Sequence, residues 1–166
     1  LALASYIYID GFGVSETTFS MYFASNAAAS ILGPVMYMRF GAGSVKKVIN
    51  VGIIVAIISA ILILLVGNAS PIIFLLSYVL YSIMTSYFRP LISDLLLSST
   101  KTDIGAASSV MNFGFTVIGS IGMVVGSLGW SSYTGGLAIT MLIFIALSII
   151  VWFYLLKAKS IQFDWK

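Results

Sequence analysis

Hydrophobic residues fall along this chain in long runs broken by brief polar interruptions, without the strict alternation of a half-buried strand. Crossing a hydrocarbon core about 30 Å thick takes about 20 apolar residues, each adding about 1.5 Å of helix. Five runs meet that length: 17–38, 48–67, 71–98, 105–129 and 133–156. Ahead of them lies an apolar stub over 1–9 that as a helix covers only about 14 Å. It carries neither the basic n-region nor the small-residue cleavage site of a signal peptide. It reads as the outer part of a helix that starts upstream, which makes the chain the C-terminal piece of a larger protein. The predicted fold is all-α: a membrane bundle of six helices with the first truncated.

The interruptions between runs sort by charge. Arg39, Lys46 and Lys47 lie between the first and second full spans, Lys101 between the third and fourth, and Lys157, Lys159 and Lys166 in the tail. The connections on the other side hold Asp10 and Glu16 and no base. Cytoplasmic loops carry the excess of Lys and Arg, so the pattern predicts a multi-pass protein of the cell (inner) membrane with a cytoplasmic C-terminus. Arg89 is the exception, inside the 71–98 span and one residue before Pro90.

Composition supports the bilayer as solvent. Of 166 residues, 60% are hydrophobic and 8% charged, against about 45–50% and about 25% in soluble domains; the mean hydropathy is +1.12. The absence of His and Cys excludes thiol catalysis, imidazole acid–base chemistry and thiolate or imidazole metal sites. With no pair of membrane-centred carboxylates either, no enzyme is expected, and neither a metal nor a cofactor. The net charge of +3 is spread too thinly for nucleic acid, since no basic stretch exceeds Lys46–Lys47.

The spans differ in kind. Those over 48–67 and 133–156 are bulky and apolar almost all round, as expected of helices at the lipid-exposed periphery. The other three carry small and polar residues at depth, including the Gly122–Gly126 pair at the spacing that lets helices approach closely. Asn26 and Asn112 each need a partner in hydrocarbon, through either an interhelical hydrogen bond or a ligand. On the 71–98 span Ser77, Tyr81, Thr85 and Phe88 share one face, with Tyr78, Ser82 and Arg89 on an adjoining strip. Rings mixed with hydroxyls suit a cavity for amphiphilic organic molecules, although the hydroxyls can instead bond the helix backbone. Arg89 can snorkel to the nearby interface, or it can pair with Asp94 at the inner mouth as a gate.

In this pattern the chain resembles the C-terminal half of a major facilitator superfamily transporter, the stub and five spans standing as its seventh to twelfth helices. The stretches Tyr6-Ile-Tyr-Ile-Asp10, Gly13-Val-Ser-Glu16 and Phe19 to Asn26 are similar to the seventh and eighth helices of the drug/proton antiporters that include bicyclomycin and chloramphenicol exporters. Arg89-Pro90 and Gly105-Ala-Ala-Ser-Ser109 with Asn112 resemble their tenth-to-eleventh helix region. Arg39 and Gly41 match the superfamily's cytoplasmic loop motif, while Met38 stands where the motif has an acid. The resemblance implies a missing N-terminal six-helix half, protons as coupling ion, and multidrug efflux by rocking of the halves about a midplane site. Expected substrate-binding residues are Tyr6, Tyr22, Asn26, Tyr78, Tyr81, Thr85, Phe88 and Asn112, and expected gating residues Arg39, Arg89 and Asp94. The competing reading is a non-transporting membrane scaffold or accessory subunit in which the polar stripes only pack helices.

Overall fold

The computed structural model describes residues 2–40, 44–99 and 103–157, which are helical apart from short connections and include no strand. Helix α1 (Ala2–Ser5) runs directly into a π-helical turn, Tyr6–Gly11. There follow α2 (Glu16–Ser30), α3 (Leu32–Phe40), α4 (Val45–Val66), α5 (Pro71–Ser99), α6 (Ile104–Gly126) and α7 (Tyr133–Lys157). Helices α4, α5, α6 and α7 are each long and apolar enough to cross a membrane, so this is a multi-pass membrane protein built as an all-α bundle. Lys101, Lys159 and Lys166 lie outside the described residues, as does Gly41.

Local chemistry sets the helix ends. The Ser15 hydroxyl accepts from the Thr18 amide at 3.2 Å and caps α2, after Gly13 turns the chain at φ 67°. Pro71 opens α5, where its missing amide costs nothing, and Ser70 Oγ accepts from the Ile73 amide at 3.2 Å. Asp103 caps α6 by accepting from the Ala106 amide at 2.9 Å.

The expected single span over 17–38 is two helices, broken at Ile31. Pro34 has no amide to give the Ser30 carbonyl, and the Ile31 amide falls back to the carbonyl of Ala28 at 3.2 Å. Neither piece alone reaches the length of a spanning helix. Beyond the break, Gly33 lets α3 lie against the α5 backbone. A Cβ there would stand 2.5 Å from the Ile83 carbonyl and 2.6 Å from the Tyr87 amide, atoms that cannot yield.

Helix direction alternates, so the bundle has two unlike ends. One, the turn end, gathers the connections 12–15, 67–70 and 127–132; the other, the basic end, carries Arg39, Lys46, Lys47 and Lys157, all exposed. At the turn end Ile7, Tyr8, Ala60, Ile63, Phe74, Ala138, Met141 and Ile145 form one buried cluster. A Thr134 hydroxyl bond to Asn68 Oδ1 at 3.2 Å ties α7 to the connection after α4.

Two expectations about placement change. The bulky helices α4 and α7 contribute most of that buried cluster as well as an apolar outer surface. The glycine-rich α6 lies at the margin, with 6% of its span buried against 22% for α4 and α5. Its large side chains, among them Val110, Phe113, Ile118 and Val124, are exposed rather than packed against the bundle. Its hydroxyls are satisfied within the helix, Thr116 by the Asn112 carbonyl at 2.9 Å and Ser120 by the Thr116 carbonyl at 2.8 Å. The Gly122–Gly126 pair does not seat another backbone: Gly122 meets the Phe144 ring at 3.7 Å and Gly126 holds the Leu3 side chain.

Candidate functional site

Between α2, the π-helical turn and α5 runs a ladder of rings. Tyr22 stacks on Tyr8 at 5.1 Å between centroids, Tyr8 meets Phe74 edge-on at 5.4 Å, Phe74 stacks on Tyr78 at 6.1 Å, and Tyr78 contacts Tyr81 at 5.9 Å. Offset and edge-on pairs at these separations each contribute about 0.5–1.5 kcal/mol beyond the area they bury. Tyr8 is the hub, because it also touches Phe12 and Phe19. The π-helical turn puts it there by holding adjacent Ile7 and Tyr8 both in the buried cluster.

One helical turn beyond Tyr22 and Tyr78 lies a polar cluster made by Asn26 and Ser30 of α2 with Ser82 of α5. Asn26 Nδ2 donates to Ser82 Oγ at 3.2 Å. The Ser30 hydroxyl donates to the Asn26 backbone carbonyl at 2.8 Å, so in its 2.7 Å contact with Ser82 it is Ser82 that donates. Every hydroxyl proton of the cluster is thereby used. Asn26 Oδ1 is buried with no hydrogen-bond partner among the described residues, an acceptor whose desolvation is uncompensated.

On another face of α5 is a half-open cavity of about 660 Å³, walled by α4, α5 and α7, with Ile118 of α6 at one side. Tyr81, Thr85 and Phe88 line it among residues that are otherwise almost all apolar. Phe88 lies across Gly52 of α4, where a Cβ would overlap its ring. Ladder and cavity meet at Tyr81.

The eight expected binding residues therefore fall in five places. Tyr22, Tyr78 and Tyr81 belong to the ladder, Asn26 to the polar cluster, and Thr85 and Phe88 with Tyr81 to the cavity. Tyr6 stands apart, 45% exposed and stacked on Tyr133 at 5.8 Å. Asn112 is exposed on α6, away from both sites. On α5 the hydroxyls of Ser77 and Thr85 are bound to backbone carbonyls of their own helix, those of Ile73 and Ser82. Tyr8, Phe74 and Ser30 complete the site and were not singled out from sequence. In α-helical geometry Tyr6 and Tyr8 point about 200° apart, so choosing between them takes the helix phase, which the π-helical turn resets.

At the basic end Arg39 and Arg89 are exposed. Arg89 and Asp94 are five residues apart, about 140° around the helix, and so face different ways. The carboxylate of Asp94 instead accepts from the Tyr37 hydroxyl of α3 at 2.8 Å, and the Tyr37 ring meets Tyr87 edge-on at 5.5 Å. Asp94 thus joins α5 to α3 through Tyr37. No group of His, Cys, Asp and Glu suited to a metal ion occurs among the described residues. Comparison with protein-family models, curated proteins and solved structures finds no match to this chain.

Proposed function

We propose that this chain is one six-helix half of a secondary transporter of the major facilitator type, exporting hydrophobic or cationic organic molecules in exchange for protons. The observation that carries the reading is the ring ladder Tyr22–Tyr8–Phe74–Tyr78–Tyr81 leading to an Asn26 carbonyl with no donor. Ring faces attract organic cations and flat apolar groups, and a carbonyl without a donor selects a ligand that brings one. The partner this reading requires is a second six-helix half, against which the bundle rocks about a midplane site. The four acids among the described residues, Asp10, Glu16, Asp94 and Asp103, are exposed and stand near helix ends, so the coupling carboxylate belongs to that other half. In this orientation the basic end is cytoplasmic.

Transport of a lipophilic fluorescent cation by the full-length protein in proteoliposomes tests the proposal. Tyr78→Ala and Asn26→Ala are each expected to raise the apparent KM about ten-fold, the effect of about 1.4 kcal/mol of lost binding. Uptake that is insensitive to both substitutions and to an imposed proton gradient favours the scaffold reading.

A further inference from the structure

The cavity on the other face of α5 has a shape and chemistry of its own. Toward the turn end α4 and α7 share the buried cluster through Ala60, Ile63, Ala138 and Met141, with both alanines fully buried. Toward the basic end the two helices part, and the residues that face the gap are Ile49, Ile53 and Ala56 on α4 and Phe144, Val151 and Leu155 on α7. The result is a wedge, closed at one end and open at the other. Its rim residues Ile118, Leu147 and Val151 are each more than half exposed, so the wedge also opens sideways. A cavity this apolar holds water poorly, and in a bilayer the surrounding solvent is hydrocarbon.

Apart from Tyr81, the polar wall residues Thr85 and Ser148 spend their hydroxyls on backbone carbonyls of their own helices, and a side-chain bond across the gap appears where the wedge meets the basic end. Trp152 Nε1 donates to Asn50 Oδ1 at 3.1 Å, bridging α7 to α4 across the open mouth. An indole with one wet edge is the side chain that settles at the headgroup boundary. Lys46 lies one turn beyond Asn50 and Ile49 on the same strip of α4, exposed, with Lys47 beside it. Helices α4 and α7 contain no acid. Asp94 of α5 is held by Tyr37 on the side of that helix where α3 packs. The mouth is therefore apolar inside, hydrogen-bonding at its edge and positive beyond.

We propose that the wedge between α4, α5 and α7 is a lipid site, filled by one acyl chain of an anionic phospholipid whose phosphate is held at Lys46. This assignment does not rest on the transport reading: of the ladder and the polar cluster, only Tyr81 also lines the wedge. Hydrocarbon restores the packing that the parted helices give up. Attraction of one basic residue near the surface is worth about a five-fold preference for an anionic over a zwitterionic headgroup.

Trp152 reports the occupant directly. In nanodiscs of the full-length protein with every tryptophan except Trp152 replaced by Phe, Trp130 and Trp165 among them, brominated phosphatidylglycerol is expected to quench Trp152 at about one fifth the mole fraction that brominated phosphatidylcholine requires. Lys46→Gln is expected to make the two lipids equal, and Ala56→Phe, which fills the wedge, to weaken quenching by both. Native mass spectrometry of the unsubstituted protein should show one retained phosphatidylglycerol, lost in Ala56→Phe. Equal quenching by the two lipids in the parent protein overturns the headgroup assignment. A brominated fatty acid that quenches as strongly as phosphatidylglycerol overturns the phospholipid in favour of a single-chain amphiphile. Retention of lipid by Ala56→Phe with unchanged stability overturns the location.

Discussion

The turn end and the basic end of this bundle are made from the same four long helices, yet they solve opposite problems. At the turn end the connections are short, small residues alternate with large ones, and the buried cluster is continuous from Ile7 to Ile145. At the basic end the charges gather, α4 and α7 separate around a cavity, and side-chain hydrogen bonds bridge the helices, Trp152–Asn50 between α7 and α4 and Tyr37–Asp94 between α3 and α5. In a bilayer the lipid tails are as apolar as leucine, so interlocking shape and hydrogen bonds hold helices together rather than escape from water. Where Ala60 and Ala138 let α4 and α7 close, interlocking suffices. Where Ile49, Val151 and Leu155 face a gap instead, the Trp152–Asn50 bond bridges the two helices.

The contrast breaks most plainly under side-chain deletion. Ile63→Ala is expected to cost about 2–5 kcal/mol by opening a void in the turn-end cluster. Leu155→Ala, on the rim of the wedge, should stay within about 0.5 kcal/mol; thermal unfolding of the two proteins in one detergent measures the difference. Gly33→Ala comes next. Its methyl meets the Ile83 and Tyr87 backbone, so α3 must move off α5 at a cost of about 1–3 kcal/mol, visible as faster hydrogen exchange confined to 32–40. Smaller again is the effect of Tyr37→Phe, which leaves the ring against Tyr87 and removes only the bond to Asp94, for about 1 kcal/mol. Amides of α3 and the last turns of α5 should exchange faster in that variant while those near Phe74 are unchanged; a change at Phe74 would mean that the two ends are one cooperative unit.

Much of the helical layout is legible from hydropathy alone, because a span in hydrocarbon must be apolar over a length the bilayer dictates. The runs 48–67, 71–98 and 133–156 match α4, α5 and α7 to within a few residues. The break at Ile31 had its cause in view at Pro34, but an apolar run keeps its hydropathy through a proline, so length alone concealed it. Packing was harder to read. Bulky side chains all round a helix suggest lipid contact, and α4 and α7 do show such surfaces, yet among those same residues are the small Ser59, Ala60 and Ala138 that bury completely. Along α5 the ring and hydroxyl periodicity located Tyr78, Tyr81, Thr85 and Phe88 on the faces that line the ladder and cavity. Asn112 carried the same polar signal as Asn26, but only Asn26 has a neighbouring helix with a hydroxyl in reach, and no single-helix pattern contains that partner.

The π-helical turn at Tyr6–Gly11 works as an indexing joint. It takes up one residue more per turn than α geometry does, so everything before Tyr6 is rotated by about 100° from where an unbroken α-helix would carry it. That rotation aims Leu3 into the notch at Gly126 while Tyr8, on the other side of the joint, stays in the ring ladder. Two neighbours on different helices, α6 and α2, are thus engaged by one short segment whose phase is counted out in backbone hydrogen bonds.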